Sequence, residues 1–175
     1  MCLGSFSECY LLVVDATKRT QAAIFDVDAA FQNIPTHLSA HPFLAIMLKG
    51  FIHLDHVLNF GASPSPGIFR RVANAVVKIF LHHRIKAVLK WVNNFIFLHF
   101  PTCHKSDGTF VFKYSADLIW SIAEELGWPW APEKFADFST SFTYIGFLWD
   151  LTSKWVQVAS KEENEISRAY FNMDS

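Results

Sequence analysis

Asp26-Val27-Asp28 and Asn93-Asn94 are two places in this sequence where closely spaced oxygen-bearing side chains meet the end of an apolar run. Ala22-Ala23-Ile24-Phe25 leads straight into the two carboxylates. Carboxylates at the end of a buried strand are costly unless water, a cation or a metal ion meets them. The two amides lie between Leu89-Lys90-Trp91-Val92 and Phe95-Ile96-Phe97-Leu98, aromatic and β-branched flanks that favour a β-hairpin with a polar tip. Each pair also has a plain structural reading. Asp28 can cap a short helical turn over Ala29 to Gln32, and Asn is an ordinary turn residue because it tolerates left-handed backbone.

The other chemistry-bearing residues are less pointed. His53 and His56 have H-x-x-H spacing, but on a strand that spacing sends them to opposite faces, against a shared metal. Gly61 allows close approach of another molecule to backbone amides just ahead of a helix start. Arg70, Arg71, Asn74 and Lys78 occupy the polar side of that helix, and His82, His83, Arg84, Lys86 and Lys90 form a basic cluster that reads as solvated surface. Cys2, Cys9 and Cys103 are odd in number and lack metal-ligand spacing, which fits a reducing compartment.

The elements that must position these groups follow from periodicity. Residues 1–20 resist placement, with Leu11-Leu12-Val13-Val14 compatible with strand or helix. A buried strand covers Gln21 to Asp28, and a second hairpin joins Phe43–Leu48 to Phe51–Leu54 through Lys49-Gly50. A helix opens with Ser65 as N-cap and Pro66 at its first position, and turns Ile68, Val72, Ala75, Val76, Ile79 and Phe80 inward. After a polar loop from His104 to Gly108, a helix from Ser115 to Leu126 presents Leu118, Ile122 and Leu126 on one face and stops at Gly127. Pro129 and Pro132 keep the next segment irregular. Phe142 to Trp149 reads as one strand and Lys154 to Val158 as another, and Ser160 with Glu163 matches a capping box opening a last helix.

At 175 residues, 51 % hydrophobic and 18 % charged, the chain fits one globular domain with a sizeable core. A net charge of −1 excludes a global basic field of the kind that announces nucleic-acid binding, though not a local basic groove. Eighteen Phe and six Trp point to an aromatic core or to apolar surface that meets a partner. No basic n-region of a signal peptide and no charge-free run of 18 apolar residues are present, so the expectation is an intracellular chain, cytoplasmic or nuclear, without a membrane span.

Laid end to end, the order is carboxylate strand, hairpin, Gly loop with helix, hairpin with a polar tip, helix and a final strand pair. This order resembles the palm of reverse transcriptases, RNA-directed DNA polymerases of retroelements. Phe25-Asp26-Val27-Asp28-Ala29-Ala30-Phe31-Gln32-Asn33-Ile34-Pro35 is similar to the family's first catalytic motif, with Asp26 at the metal-binding aspartate and Phe31 at the aromatic gate for the sugar 2′-position. Leu58-Asn59-Phe60-Gly61-Ala62-Ser63, running into Ile68-Phe69, resembles the "LPFG…F" template and nucleotide loop of long-terminal-repeat and tyrosine-recombinase elements, with Asn59 in place of proline. Trp91-Val92-Asn93-Asn94 stands where the family carries its aromatic-x-Asp-Asp box. Leu126 to Lys134 resembles the approach to the primer grip, and Phe142 to Trp149 the grip itself.

The resemblance implies an α+β palm, an antiparallel sheet packed on helices over 21–158, with partial fingers and little or no thumb: 1–20 would be a remnant of the fingers or an N-terminal extension, and 159–175 the start of a thumb or a C-terminal tail. It implies a fragment of a longer polyprotein. By residue, it implies a catalytic set of Asp26, Asn93, Asn94 and, by a loose match, Lys134. Asp26 would be the metal ligand, Val27, Asp28, Ala30, Phe31, Phe60 and Gly61 nucleotide contacts, Tyr144, Ile145 and Gly146 the primer grip, and Arg70, Arg71 and Lys78 nucleic-acid contacts. Family partners are an RNA or DNA template-primer and a deoxynucleoside triphosphate, with Mg²⁺ on acidic oxygens activating the primer 3′-oxygen and stabilising the phosphoryl charge. Asn at 93 and 94 keeps an oxygen but removes two negative charges. The expected function is therefore a catalytically degenerate reverse-transcriptase-like domain; the alternative is a palm-derived module that binds nucleic acid or protein, the latter through exposed apolar surface.

Overall fold

The computed structural model describes residues 5–159. In chain order the elements are α1 (Phe6–Asp15), β1 (Gln21–Asp26), a 3₁₀ stretch (Leu38–Leu44), β2 (Ala45–Leu48), β3 (Phe51–Leu54), α2 (Ser65–His82), β4 (Val88–Trp91), β5 (Asn94–His99), β6 (Pro101–His104) and β7 (Phe110–Phe112). Then follow α3 (Ala116–Leu126), β8 (Ala136–Ser139), β9 (Ser141–Tyr144), β10 (Phe147–Asp150) and β11 (Trp155–Val158). The capping box expected at Ser160 and Glu163 lies outside the described residues. Among the described residues no helix is long and apolar enough to cross a membrane.

The main sheet has the order β4-β5-β1-β8, antiparallel throughout. β1 is a near-continuous apolar run because both its faces are covered, and successive side chains go to opposite sides. Ala23 and Phe25 join Phe69, Ala73, Val76 and Phe80 of α2 and Ile119 and Ile122 of α3 on one face. Ala22 and Ile24 join Cys9 and Val13 of α1 and Phe142, Tyr144, Trp149 and Val156 of the second sheet, β11-β10-β9, on the other. Phe25 is the hub of the first cluster, its ring centroid 4.8–5.4 Å from those of Phe97, Trp120, Trp130 and Phe135. Burial pushes the Cys9 thiol up to about 12, so it packs as an inert apolar group.

Several expectations are corrected. Residues 6–15 are a helix, nucleated by a capping box in which Ser5 Oγ accepts from Glu8 N–H and Glu8 reaches back to Ser5 N–H. α2 starts one residue earlier than read: Pro64 is the N-cap residue, already helical in backbone, and Ser65 makes no side-chain cap. Its buried face is Phe69, Ala73, Val76 and Phe80, leaving Ile68, Val72 and Ala75 exposed, because the sheet it must cover lies one residue round the helix. On α3 the buried residues are Ile119, Ile122 and Ala123, while Leu118 and Leu126 are exposed; Gly127, at φ +62°, ends the helix as expected.

The single strand expected over Phe142 to Trp149 is two strands, β9 and β10, folded at Ile145 and Gly146, whose φ values of +47° and +82° make a tight two-residue turn. β8, unread in the sequence, is the fourth strand of the main sheet. The hairpin at Lys49-Gly50 forms as expected, with both turn residues at positive φ. All eight residues of β2 and β3 are exposed, and this hairpin pairs with no other strand among the described residues.

Candidate active site

Asp26 closes β1 directly opposite Asn94, the first residue of β5, which in turn faces Trp91. The turn is therefore Val92-Asn93, a correction to the expected Asn-Asn tip. Val92 takes the left-handed conformation at φ +51°, costly for a β-branched residue. That register swings Asn93 towards the carboxylate strand. Val27 N–H donates to the Asn93 carbonyl at 2.9 Å. On the other side, Ala131 N–H donates to the Asp26 carbonyl and Asp28 N–H to the Pro129 carbonyl, at 2.8 and 2.9 Å. The Asp26 backbone is thus held between the hairpin and the segment from Pro129 to Ala131.

Both carboxylate oxygens of the buried Asp26 are occupied. Asn93 Nδ2 donates to Oδ2 at 2.8 Å, and Lys134 Nζ, carried on a 3₁₀ turn over Pro132–Lys134, donates to Oδ1 at 3.0 Å. This ion pair raises the Lys134 ammonium above its ordinary value, chiefly through the hydrogen bond to Asp26, and the net charge of the cluster is zero.

Val27, Ala30, Phe31, Phe60, Asn93 and Lys134 line one cavity of about 320 Å³, so six residues singled out in the sequence share one space. Phe31 is buried and meets the exposed Phe60 edge to face at 4.8 Å and Phe69 at 5.6 Å. Asp26 itself, Asp28, Gly61 and Asn94 stand outside the cavity lining, and Asp26 is connected to it through Asn93 and Lys134. Asp28 is exposed, and the turn after it is held by Asn33, whose Nδ2 donates to the carbonyls of Asp28 and Ala29.

The remaining site residues scatter. Tyr144 is core, its phenol pushed well up by burial, and the Trp149 indole donates to its carbonyl at 3.1 Å; Ile145 and Gly146 form the turn beyond it. Arg70, Arg71 and Lys78 are exposed along α2. His53 lies on β3, whereas His56 lies beyond it and packs its ring on His41 at 4.3 Å. Lys90, read as solvated surface, is only 3 % exposed.

No family model and no curated protein matches the sequence. Solved structures match the fold. The foamy viral protease-reverse transcriptase in complex with an RNA/DNA hybrid is 17 % identical with a TM-score of 0.62, over 86 % of this chain and 19 % of that one. Two further structures, the dRH form with double-stranded DNA and the protease-reverse transcriptase with double-stranded DNA, are each 18 % identical with TM-scores of 0.61. The matches span 24 % and 29 % of those chains, so this sequence covers less than a third of the length of each of these structures. On this likeness the chain has a reverse-transcriptase-like fold.

Proposed function

We propose that this chain is a reverse-transcriptase palm of retroelement origin, of the long-terminal-repeat or tyrosine-recombinase type, whose nucleotidyl-transfer centre has become a metal-independent ion pair. The observation that carries this reading is the saturation of Asp26. Mg²⁺ needs several hard oxygens at short range and compensating negative charge. Here the buried Asp26 has both carboxylate oxygens in hydrogen bonds, its charge is balanced by Lys134, and the facing hairpin side chain, Asn93, presents an N–H donor. Among the described residues no three His, Cys, Asp or Glu side chains gather as a metal site. The residues present do not fit the ion.

The chain's own groups do something simpler: Asn93 and Lys134 clamp Asp26, and Phe31 and Phe60 wall the adjoining cavity. The test is primer extension on RNA and DNA templates with Mg²⁺ or Mn²⁺. The expected result is no synthesis by the natural sequence, and robust synthesis would overturn the reading. A second reading, a palm-derived nucleic-acid binder, draws on the exposed Arg70, Arg71 and Lys78 along α2 and on neighbours solved with RNA/DNA hybrid and double-stranded DNA. A salt-dependent shift of an RNA–DNA hybrid at micromolar protein would favour it.

A further inference from the structure

Lys90 is the one buried lysine among the described residues, and it makes no hydrogen bond or ion pair among them. Its strand, β4, is an outer strand of the main sheet, and Lys90 pairs with Phe95, which places its side chain on the α2 side. A buried ammonium without a partner is expensive, since desolvation disfavours the charge. Beside it is a second cation, Arg70 of α2, which together with burial holds Lys90 below the usual lysine range. Neither cation has a carboxylate partner among the described residues.

Both residues line a half-open cavity of about 470 Å³ at the start of α2. Pro66 and Gly67, in the first turn of that helix, complete one wall. In this turn Ser65 N–H donates to the Ala62 carbonyl and Ile68 N–H to that of Pro64, while Pro66 has no N–H to give. Gly67 N–H is left without an acceptor among the described residues, at the end of an 18-residue helix where the backbone dipole favours negative charge. Phe69, Trp91 and Val92 supply the rest of the lining, which is mostly apolar. Ser5 reaches the rim, and the Glu8 carboxylate near it is taken up by the Ser5 N–H and hydroxyl.

We propose that this cavity binds a phosphate monoester with an apolar or aromatic body, its phosphate held by Lys90, Arg70 and the Gly67 N–H and its body resting on Phe69 and Trp91. Two cations and a helix N-terminus match a dianion better than a single carboxylate. The apolar walls exclude a bare ion as the best ligand. The cavity lies on the other side of Val92 from the one lined by Phe31, Phe60 and Asn93, and Val92 is the residue the two share; none of the groups that would hold the phosphate lines that second cavity, so the proposal does not rest on the polymerase reading.

The probe is phenyl phosphate, titrated into the ¹⁵N-labelled protein. The expected result is a saturable shift of the Gly67, Lys90 and Trp91 amides, with at least tenfold weaker binding in Lys90→Met and several-fold weaker binding in Arg70→Gln. Because Arg70 is exposed, Arg70→Gln keeps the test valid if Lys90→Met fails to fold. Benzoate and inorganic phosphate are each expected to bind at least tenfold more weakly. Absence of saturable shifts, unchanged affinity in Arg70→Gln, or equal binding of inorganic phosphate would overturn the proposal. So would an RNA–DNA hybrid that reproduces the same Lys90-dependent shifts, because the pocket would then be a contact for backbone phosphates.

Discussion

Replacing Asn93 by Asp should make the protein less stable without divalent metal and dependent on it for recovery. Asn93 Nδ2 sits 2.8 Å from Asp26 Oδ2, so the change removes a hydrogen bond to a charged acceptor, about 1.5–3 kcal/mol. It also sets two carboxylates a few ångströms apart. At an effective dielectric constant near 20 their repulsion is about 4 kcal/mol before relief. Relief comes from Lys134, which already faces Asp26, from partial solvent access at Asn93, and from uptake of a proton by the pair. A net loss of roughly 3 kcal/mol remains, which at a slope of about 2 kcal/mol/M lowers the urea midpoint by about 1.5 M. Urea titration of both proteins in EDTA at pH 7 measures it. The deficit should shrink as the pH is lowered from 7, because the pair then takes up a proton and the protonated carboxyl again donates a hydrogen bond to its neighbour. Mg²⁺ at about 100 times its dissociation constant should restore about 2.7 kcal/mol to the variant and nothing to the natural protein. Coincident unfolding curves for the two proteins in EDTA would refute the ion-pair account of Asp26.

Two further outcomes follow from the packing. Phe25→Ala should cost about 3–5 kcal/mol in urea unfolding, since it deletes a fully buried ring in contact with four others; a midpoint near the natural one would mean the aromatic cluster is not the core. His99 is buried between Phe112 and Phe138 at 3.9 and 3.6 Å, with Nδ1 donating to the Tyr114 carbonyl, and desolvation holds its pKa below the ordinary value of 6.5. The unfolded chain therefore takes the proton first, so stability should be full above about pH 6.5 and fall as the pH drops below it. His99→Phe should flatten that slope between pH 7.5 and 5, and an unchanged slope would exclude His99 as its source.

The parts of the fold legible in the sequence are those where local chemistry and tertiary demand agree. The run into Asp26, the turn at Lys49-Gly50 and the stop at Gly127 each appear where expected, and the cavity gathers Val27, Ala30, Phe31, Phe60, Asn93 and Lys134. The Ser5–Glu8 spacing of a capping box is present in the sequence as well, and it marks the start of a helix that the apolar run Leu11–Val14 does not by itself distinguish from a strand. Where the two disagree, tertiary structure prevails. Asn is the better left-handed residue, yet pairing of Asn94 with both Trp91 and Asp26 moves the turn back and forces Val92 into that conformation. Lys90 has the composition of a surface residue, and only the placement of α2 over β4 buries it. β8 has Asp137 and Ser139 among its residues and follows two prolines, so its role beside β1 rests on long-range pairing that no short window contains.

The central position of β1 governs the timing of folding. Its partners arrive late: β5 begins at residue 94 and β8 at residue 136. At about 5–20 residues per second, the roughly 110 residues between the end of β1 and the start of β8 take about 5–20 s to synthesise. For that interval Ala22, Ala23, Ile24 and Phe25 lie in a strand with an unpaired edge, and the sheet cannot close until the chain has returned to it. Non-local pairing of this kind slows folding because the loops must close before their contacts reward closure. The nascent chain is therefore most exposed to aggregation between the emergence of β1 and that of β8, the strand that covers its second edge.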